Sequence, residues 1–292
     1  SMKEFIVNSK FNNRKLQNFI YTQIPSITSS MFYKTLRKKD IKVNDIRINE
    51  NIILHEGDNI KVYIDDKYLS SSFTPDIIYE DKNILIINKP AGIEVVGENS
   101  LTNNLINYYK SSNNKYCISP CHRLDRNTTG LILYAKNEEA LNTLLKKFKN
   151  HEIEKHYKAM VYGIPHKKTA TLNAYLFKDN KKSLVYISDT PKKGYVPIET
   201  KYNILKYDIK KNFSILDVEL LTGKTHQIRA HLAHIGYPII GDGKYGKNEI
   251  NKKFGHKVQQ LCSYKLKFNF FTDSGILNYL NGKEFILNKN LI

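Results

Sequence analysis

Between residues 65 and 76 the chain reads DDKYLSSSFTPD, a polar, serine-rich stretch closed by a proline. A break of this kind constrains the fold more than any other feature. It divides the 292 residues into a small module over 1–66, a linker over 67–76 and a large domain over 77–292.

The small module opens on helical spacing. NRKLQNFIYTQI places Leu16, Phe19, Ile20 and Ile24 on one face. SITSSMFYKTLRKKD supplies Ser and Thr caps and a second helix, with Met31, Phe32 and Leu36 inward and Lys34, Arg37 and Lys38 outward. IKVNDIRI then alternates through a turn at Asn44-Asp45, a hairpin signal, and LHEGDNIKVYI adds a Gly-Asp turn and a further short strand.

Beyond the linker the pattern changes to short β-branched runs. IIYEDKNILIINKPAGIEVV reads as two strands with turns at Asp81-Lys82 and over Lys89–Gly92. NNLINYYKSS, NEEALNTLLKKFKNHEI and THQIRAHLAHIG read as helices; the second carries Glu138 and Glu139 early and Lys146, Lys147 and Lys149 late, matching the helix dipole. The remainder is strand-rich and shows no internal repeat, which predicts a mixed α/β or α+β domain.

Charge narrows the partners. There are 46 Lys and Arg against 28 Asp and Glu, a net charge of +18. Such an excess draws a protein to polyanions, nucleic acid above all. The hydrophobic fraction of 41% is that of a soluble globular protein. No apolar run approaches the ~18 residues of a membrane span, and the first residues lack a signal-peptide core. Three cysteines, an odd and small number, fit a reducing cytoplasm. Cys117, Cys121 and His122 are a poor metal set, because C-x3-C has no second pair.

Three stretches carry candidate chemistry. HRLDRNTTGLILYAKN sets one carboxylate, Asp125, between Arg123 and Arg126, on a loop before an apolar strand. It is either a reactive group or a turn-capping aspartate. EIEKHYKAMVYG places Tyr157, Ala159 and Val161 on one strand face, where Tyr157 is either core or a plate for an unstacked base. LLTGKTHQIRAHLAHIGYPIIGDGKYG invites a P-loop reading through TGKT, but the pattern needs glycine at 218 and that residue is Val218. His226, His231 and His234 do not form H-E-x-x-H and lack a nearby acid. Arg229 sits in an apolar setting and requires a partner, for which a carboxylate is the natural choice.

In order and content, NKPAGIEVV, HRLDRNTTGLILYAKN, KHYKAMVYG and LTGKTHQIRAHLAHIGYPIIGDGKYG resemble the RluA branch of the pseudouridine synthases. The small module resembles the S4 RNA-binding domain, with VNDIRI and EGDNIKVYI its most specific part. It departs from that family at Gln17, Ser29 and Met31, which implies weaker RNA binding. The resemblance implies an α+β fold with a central, mostly antiparallel sheet split by a basic cleft, preceded by an S4-like head of two helices and short strands. It implies an isomerase that turns uridine into pseudouridine, without metal or redox cofactor, in ribosomal RNA of the large subunit.

The resemblance also implies roles. Asp125 matches the catalytic aspartate, Tyr157 the tyrosine that packs on the target base, and Arg229 the arginine that pairs with the aspartate. Leu261 falls where a pocket leucine stands, and Cys262 follows it where histidine is frequent. Arg123, Arg126, Lys224, His226 and Gln227 are candidates for substrate contact, and Lys15, Lys34, Arg37, Lys38 and Lys39 for RNA contact by the head. Asp125 would attack C1′ of the ribose, remove the C2′ proton, or attack C6 of the uracil; each requires the ionised form. Burial raises an aspartate pKa and an adjacent arginine lowers it. Other readings are a non-catalytic RNA-binding ribosome assembly factor, a transfer-RNA pseudouridine synthase, and a metal-dependent nuclease, which would need clustered acids. The expected state is a cytoplasmic monomer whose partner is RNA.

Overall fold

The computed structural model describes residues 2–64, 73–111 and 117–288, so most of the expected linker lies outside the described residues. The chain forms two compact units, one over Ser1–Pro75 and Val96–Tyr116, the other over Asp76–Val95 and Cys117–Ile292. The segment Val96–Tyr116 thus groups with the first unit, although it falls inside the stretch that the sequence assigns to the large domain.

The first unit joins strands β1 (Met2–Ile6), β2 (Ile41–Val43), β3 (Ile46–Ile48) and β4 (Asn59–Tyr63) in the order β1-β4-β2-β3, all antiparallel. Helix α1 (Leu16–Gln23) buries Leu16, Phe19 and Ile20, and α2 (Ser29–Arg37) buries Phe32 and Leu36, the faces expected from spacing. Thr28 caps α2 by accepting the Met31 N–H. Asn44 and Asp45 both take positive φ, the conformation of the tightest hairpin turn. Helix α3 (Leu101–Ser111) belongs to the same unit.

The second unit is built on one sheet of eleven strands. They are β5 (Ile77–Glu80), β6 (Ile84–Lys89), β7 (Ser119–Pro120), β8 (Thr129–Ala135), β9 (Ile153–Tyr162), β10 (Thr169–Asp179), β11 (Leu184–Ser188), β12 (Val196–Asp208), β13 (Phe213–Leu220), β14 (Leu261–Phe268) and β15 (Glu284–Ile286). Along the sheet the order is β11-β10-β12-β13-β9-β14-β8-β6-β5, with β15 beside β14 and β7 beside β8. The expected α+β class and mostly antiparallel sheet are both present.

Two features position the site. First, β14 lies between β9 and β8, antiparallel to one and parallel to the other. At the parallel crossing Gly130 has φ +111°, and a Cβ there would meet the Ser263 carbonyl oxygen at 2.0 Å. Only glycine allows the two backbones to approach this closely. Second, helix α4 (Glu138–Lys149) covers one face, its Ala140 and Leu144 packing with Ile84, Leu131, Leu133 and Leu266. Burying a leucine such as Leu144 contributes about 1.5–3 kcal/mol. The run LILYA of β8 is buried on both faces, which explains why it reads as continuous rather than alternating apolar sequence.

Candidate active site

Asp125 sits on the loop between β7 and β8. It does not cap the turn with its side chain; the Thr128 N–H bonds the Asp125 backbone oxygen instead, at 3.0 Å. The carboxylate is left to face Arg229 of helix α5 (Gln227–His234), whose Nη1 donates to Oδ2 at 3.0 Å. The two residues are 104 positions apart in the chain.

Arg229 has a second and stronger partner that the sequence reading missed. Its Nε and Nη2 donate to the two oxygens of Asp242 at 2.6 and 3.1 Å, a bidentate pair. Asp242 is fully buried and also accepts the backbone N–H groups of Lys244 and Tyr245. Asn251, on helix α6 (Asn248–Phe254), ties the same turn from behind, accepting the Gly241 N–H and donating to the Asp242 carbonyl. Burial works against the charge on Arg229, yet Asp242 first and Asp125 second raise its pKa above the ordinary value. For Asp242, burial is outweighed by the Arg229 bonds and its pKa falls. The Tyr245 ring lies 5.2 Å from the guanidinium carbon, closing the remaining side.

A second missed residue is Lys89, at the end of β6. It is completely buried, and its ammonium donates to the carbonyls of Pro90, Ile93 and Arg126, each at 2.8 Å. The Gly92 N–H joins the same Arg126 carbonyl. The KPAG turn is thereby fastened to the Asp125 loop. Burial pulls the Lys89 pKa down to about 8, against the charge of Asp125.

A cavity of about 450 Å³ opens beside Asp125. Arg123, Tyr157, Lys224, His226, Gln227 and Leu261 line it with Asp125 and Arg229; Arg126 does not. Tyr157, on β9, is 4% exposed, and burial, then the charges of Asp125 and Cys262, push its pKa up. It is a neutral ring at the cavity wall. His226 begins α5 in the left-handed region, at φ 54°, and its Nδ1 lies 2.7 Å from the Tyr245 hydroxyl. Gln227 is buried and spends its amide on the chain, bonding Thr222, Lys224, Glu199 and Thr200. It shapes the loop above the cavity.

The three stretches thus converge: a carboxylate, a fixed guanidinium and an aromatic ring border one space large enough for a nucleoside-sized group. On the opposite face of β9, Glu154, His156 and Glu219 bring potential metal-ligand atoms within 4.8 Å of one another. Both His156 nitrogens are already engaged there, Nδ1 with Asp217 and Nε2 with Glu154, each at 3.1 Å. Burial is outweighed by these acids and the His156 pKa is raised, so the group is an ion cluster in its own right.

In the first unit, Lys15, Lys34, Arg37, Lys38 and Lys39 are all exposed.

Comparison with known proteins agrees with this arrangement. A family model described as RNA pseudouridylate synthase matches residues 83–234, just over half of the chain. The ribosomal large subunit pseudouridine synthase C of Buchnera aphidicola subsp. Acyrthosiphon pisum is 34% identical over 285 residues, covering 90% of this chain and 88% of that protein. An uncharacterised RNA pseudouridine synthase of Mycoplasma genitalium is 32% identical, covering 91% and 88%. Among solved structures, human RNA pseudouridylate synthase domain containing 4 superposes with a TM-score of 0.59 at 22% identity, covering 72% of this chain and 87% of that chain. Its human counterpart, domain containing 1, gives 0.58 at 21%, covering 76% and 93%. Both share the fold. With relatives this similar along nine-tenths of its length, the chain belongs to the RNA pseudouridylate synthase family and is an isomerase of uridine in RNA.

Proposed function

We propose that this enzyme modifies large-subunit ribosomal RNA, with Asp125 as the reactive carboxylate, Arg229 as its partner and Tyr157 as the plate on which the extruded uracil rests. The observation that carries the reading is the Asp125–Arg229 contact at 3.0 Å at the edge of a cavity walled by Tyr157. The Buchnera relative and a Vibrio parahaemolyticus relative 30% identical over 266 residues, both named ribosomal large subunit pseudouridine synthase C, support the ribosomal part.

The reaction breaks the N1–C1′ bond, turns the base and joins C5 to C1′. Asp125 works at the sugar, by attack at C1′ or removal of the C2′ proton. Arg229 aims the carboxylate, and it is itself held by Asp242. The cavity retains the freed base, and Tyr157 stacks on it, a contact worth roughly 1–3 kcal/mol. A nucleotide must leave its helix to reach such a site. Arg123 and Lys224 at the rim meet phosphates, and the exposed cations of α2 give the first unit an RNA-binding face of S4-like type. The product is an isomer of the substrate, so the reaction carries no net oxidation or reduction. The enzyme acts as a cytoplasmic monomer.

Pseudouridine mapping of ribosomal and transfer RNA from cells with and without this gene tests the proposal. Loss of one or more pseudouridines from the large-subunit RNA, restored by the wild-type gene and not by Asp125→Asn, is the expected result. An unchanged large-subunit map, or loss confined to transfer RNA, refutes the ribosomal assignment.

A further inference from the structure

One corner of the cavity is not used by the three reacting groups. Lys155 and Tyr157 are two positions apart on β9, so both side chains leave the same face, about 6.6 Å apart along the strand. Both line the cavity. The Lys155 ammonium lies 5.4 Å from the centre of the Phe148 ring. It sits close against the 221–226 loop, where a Cβ on Gly223 would be 3.1 Å from Nζ. No carboxylate pairs with it among the described residues, and burial lowers its pKa. A desolvated cation without a counter-charge is poised for an anion.

Beside it is His122, its ring centre 5.1 Å from that of Phe148. Its Nε2 accepts the Leu133 N–H at 2.9 Å, so that nitrogen carries no proton. Burial, with the charge of Lys155 second, holds its pKa at about 3. The ring is neutral and its proton is on Nδ1. That Nδ1 is shielded from solvent and has no hydrogen-bond partner among the described residues. Buried donors without acceptors are rare, and this one belongs to a residue that lines the cavity. Two further cations, the exposed Lys178 and Lys224, line the same cavity.

We infer that Lys155 and His122 form a subsite for a phosphate of the substrate strand, the one flanking the nucleotide held against Tyr157. The ammonium supplies charge, the Nδ1–H a fixed neutral donor, and Lys178 and Lys224 the rim. The inference rests on the reading of Asp125 and Tyr157 given above. A contact to phosphate positions the strand without reading its sequence. It locks the sugar of the extruded nucleotide in front of Asp125, which makes Lys155 and His122 positioning residues.

Titration of the full chain with uridine 3′,5′-bisphosphate and with uridine, by calorimetry, tests this. The wild type should bind the bisphosphate at least tenfold more tightly. Lys155→Met keeps the stem against Phe148 and should cut that preference about tenfold, leaving uridine affinity unchanged; Lys155→Arg should restore most of it. In nitrogen-edited NMR of the wild type, the His122 Nδ1–H resonance should move with the bisphosphate and not with uridine. An equal preference in wild type and Lys155→Met, or an unmoved His122 resonance, overturns the subsite. If Lys155→Met does not fold, the wild-type resonance decides. An enzyme that forms pseudouridine without the preference loses the subsite alone; one that shows the preference and forms no pseudouridine loses the catalytic reading alone.

Discussion

Arg229 gives one edge of its guanidinium to Asp242 and a single N–H to Asp125, so one cation serves two acids. The buried pair with Asp242 is complete without Asp125 and fixes the arginine in advance. The two acids therefore differ in what their loss does. Asp125→Asn should abolish turnover in single-round assays while RNA affinity stays within about twofold; turnover near wild type would remove Asp125 from the reaction. Asp242→Asn leaves Arg229 buried with half its pairing, a change that costs about 3–5 kcal/mol when a buried ion pair is broken outright. Its expected signature is a kcat loss of at least tenfold with RNA affinity little changed, measured on protein shown to be folded by circular dichroism. An affinity loss at unchanged kcat would contradict the pairing. Asp125, Tyr157, Arg229 and Leu261 could be picked from motifs, because each sits in a short recognisable stretch. Lys89 and Asp242 could not, since their importance lies in partners that folding alone supplies: three carbonyls from two loops, and a guanidinium 13 positions away.

Among the elements, the β8–β14 pair depends on a missing side chain. Gly130 combines φ +111° with a Cβ position 2.0 Å from a carbonyl oxygen. Gly130→Ala should cost about 3 kcal/mol or more through backbone strain and separation of the strands, seen as a lower midpoint in urea and a weakened Asp125 loop. A neutral outcome would mean that the crossing is looser than drawn. A second joint lies where α4 meets β9. Lys147 and Glu152 are buried together, and Glu152 also accepts the backbone N–H groups of Phe271 and Thr272 and the Thr272 hydroxyl. Burial opposes these bonds and is outweighed, so the Glu152 pKa falls from 4.5 to about 2. The stability it contributes is complete above about pH 4.5 and is lost as pH falls through about 2. Glu152→Gln should cost about 1–3 kcal/mol at pH 7 and flatten the acid limb of a stability–pH curve; parallel curves for the two proteins would refute the assignment. Helices α1, α2 and α4 and the Asn44-Asp45 hairpin were legible because period, caps and turn residues agree. The order of the strands was not, because pairing between distant segments leaves no local trace.

Taken as a molecule, the second unit draws its cavity from segments spread between residues 122 and 261. Composition announced a polyanion partner, and the motifs announced the family. Neither revealed that β14, the last long strand, stands in the middle of the sheet with β9 on one side and β8 on the other. Everything before it forms two separate half-sheets, one ending at β9 and one at β8, with Tyr157 on the first and Asp125 beside the second. Without residues 261–292, about a ninth of the chain, both residues are present but the strand that joins their half-sheets is not. Carboxylate and ring therefore face one another only through the β14 joint, so the pocket stands or falls with that strand's pairing on both sides.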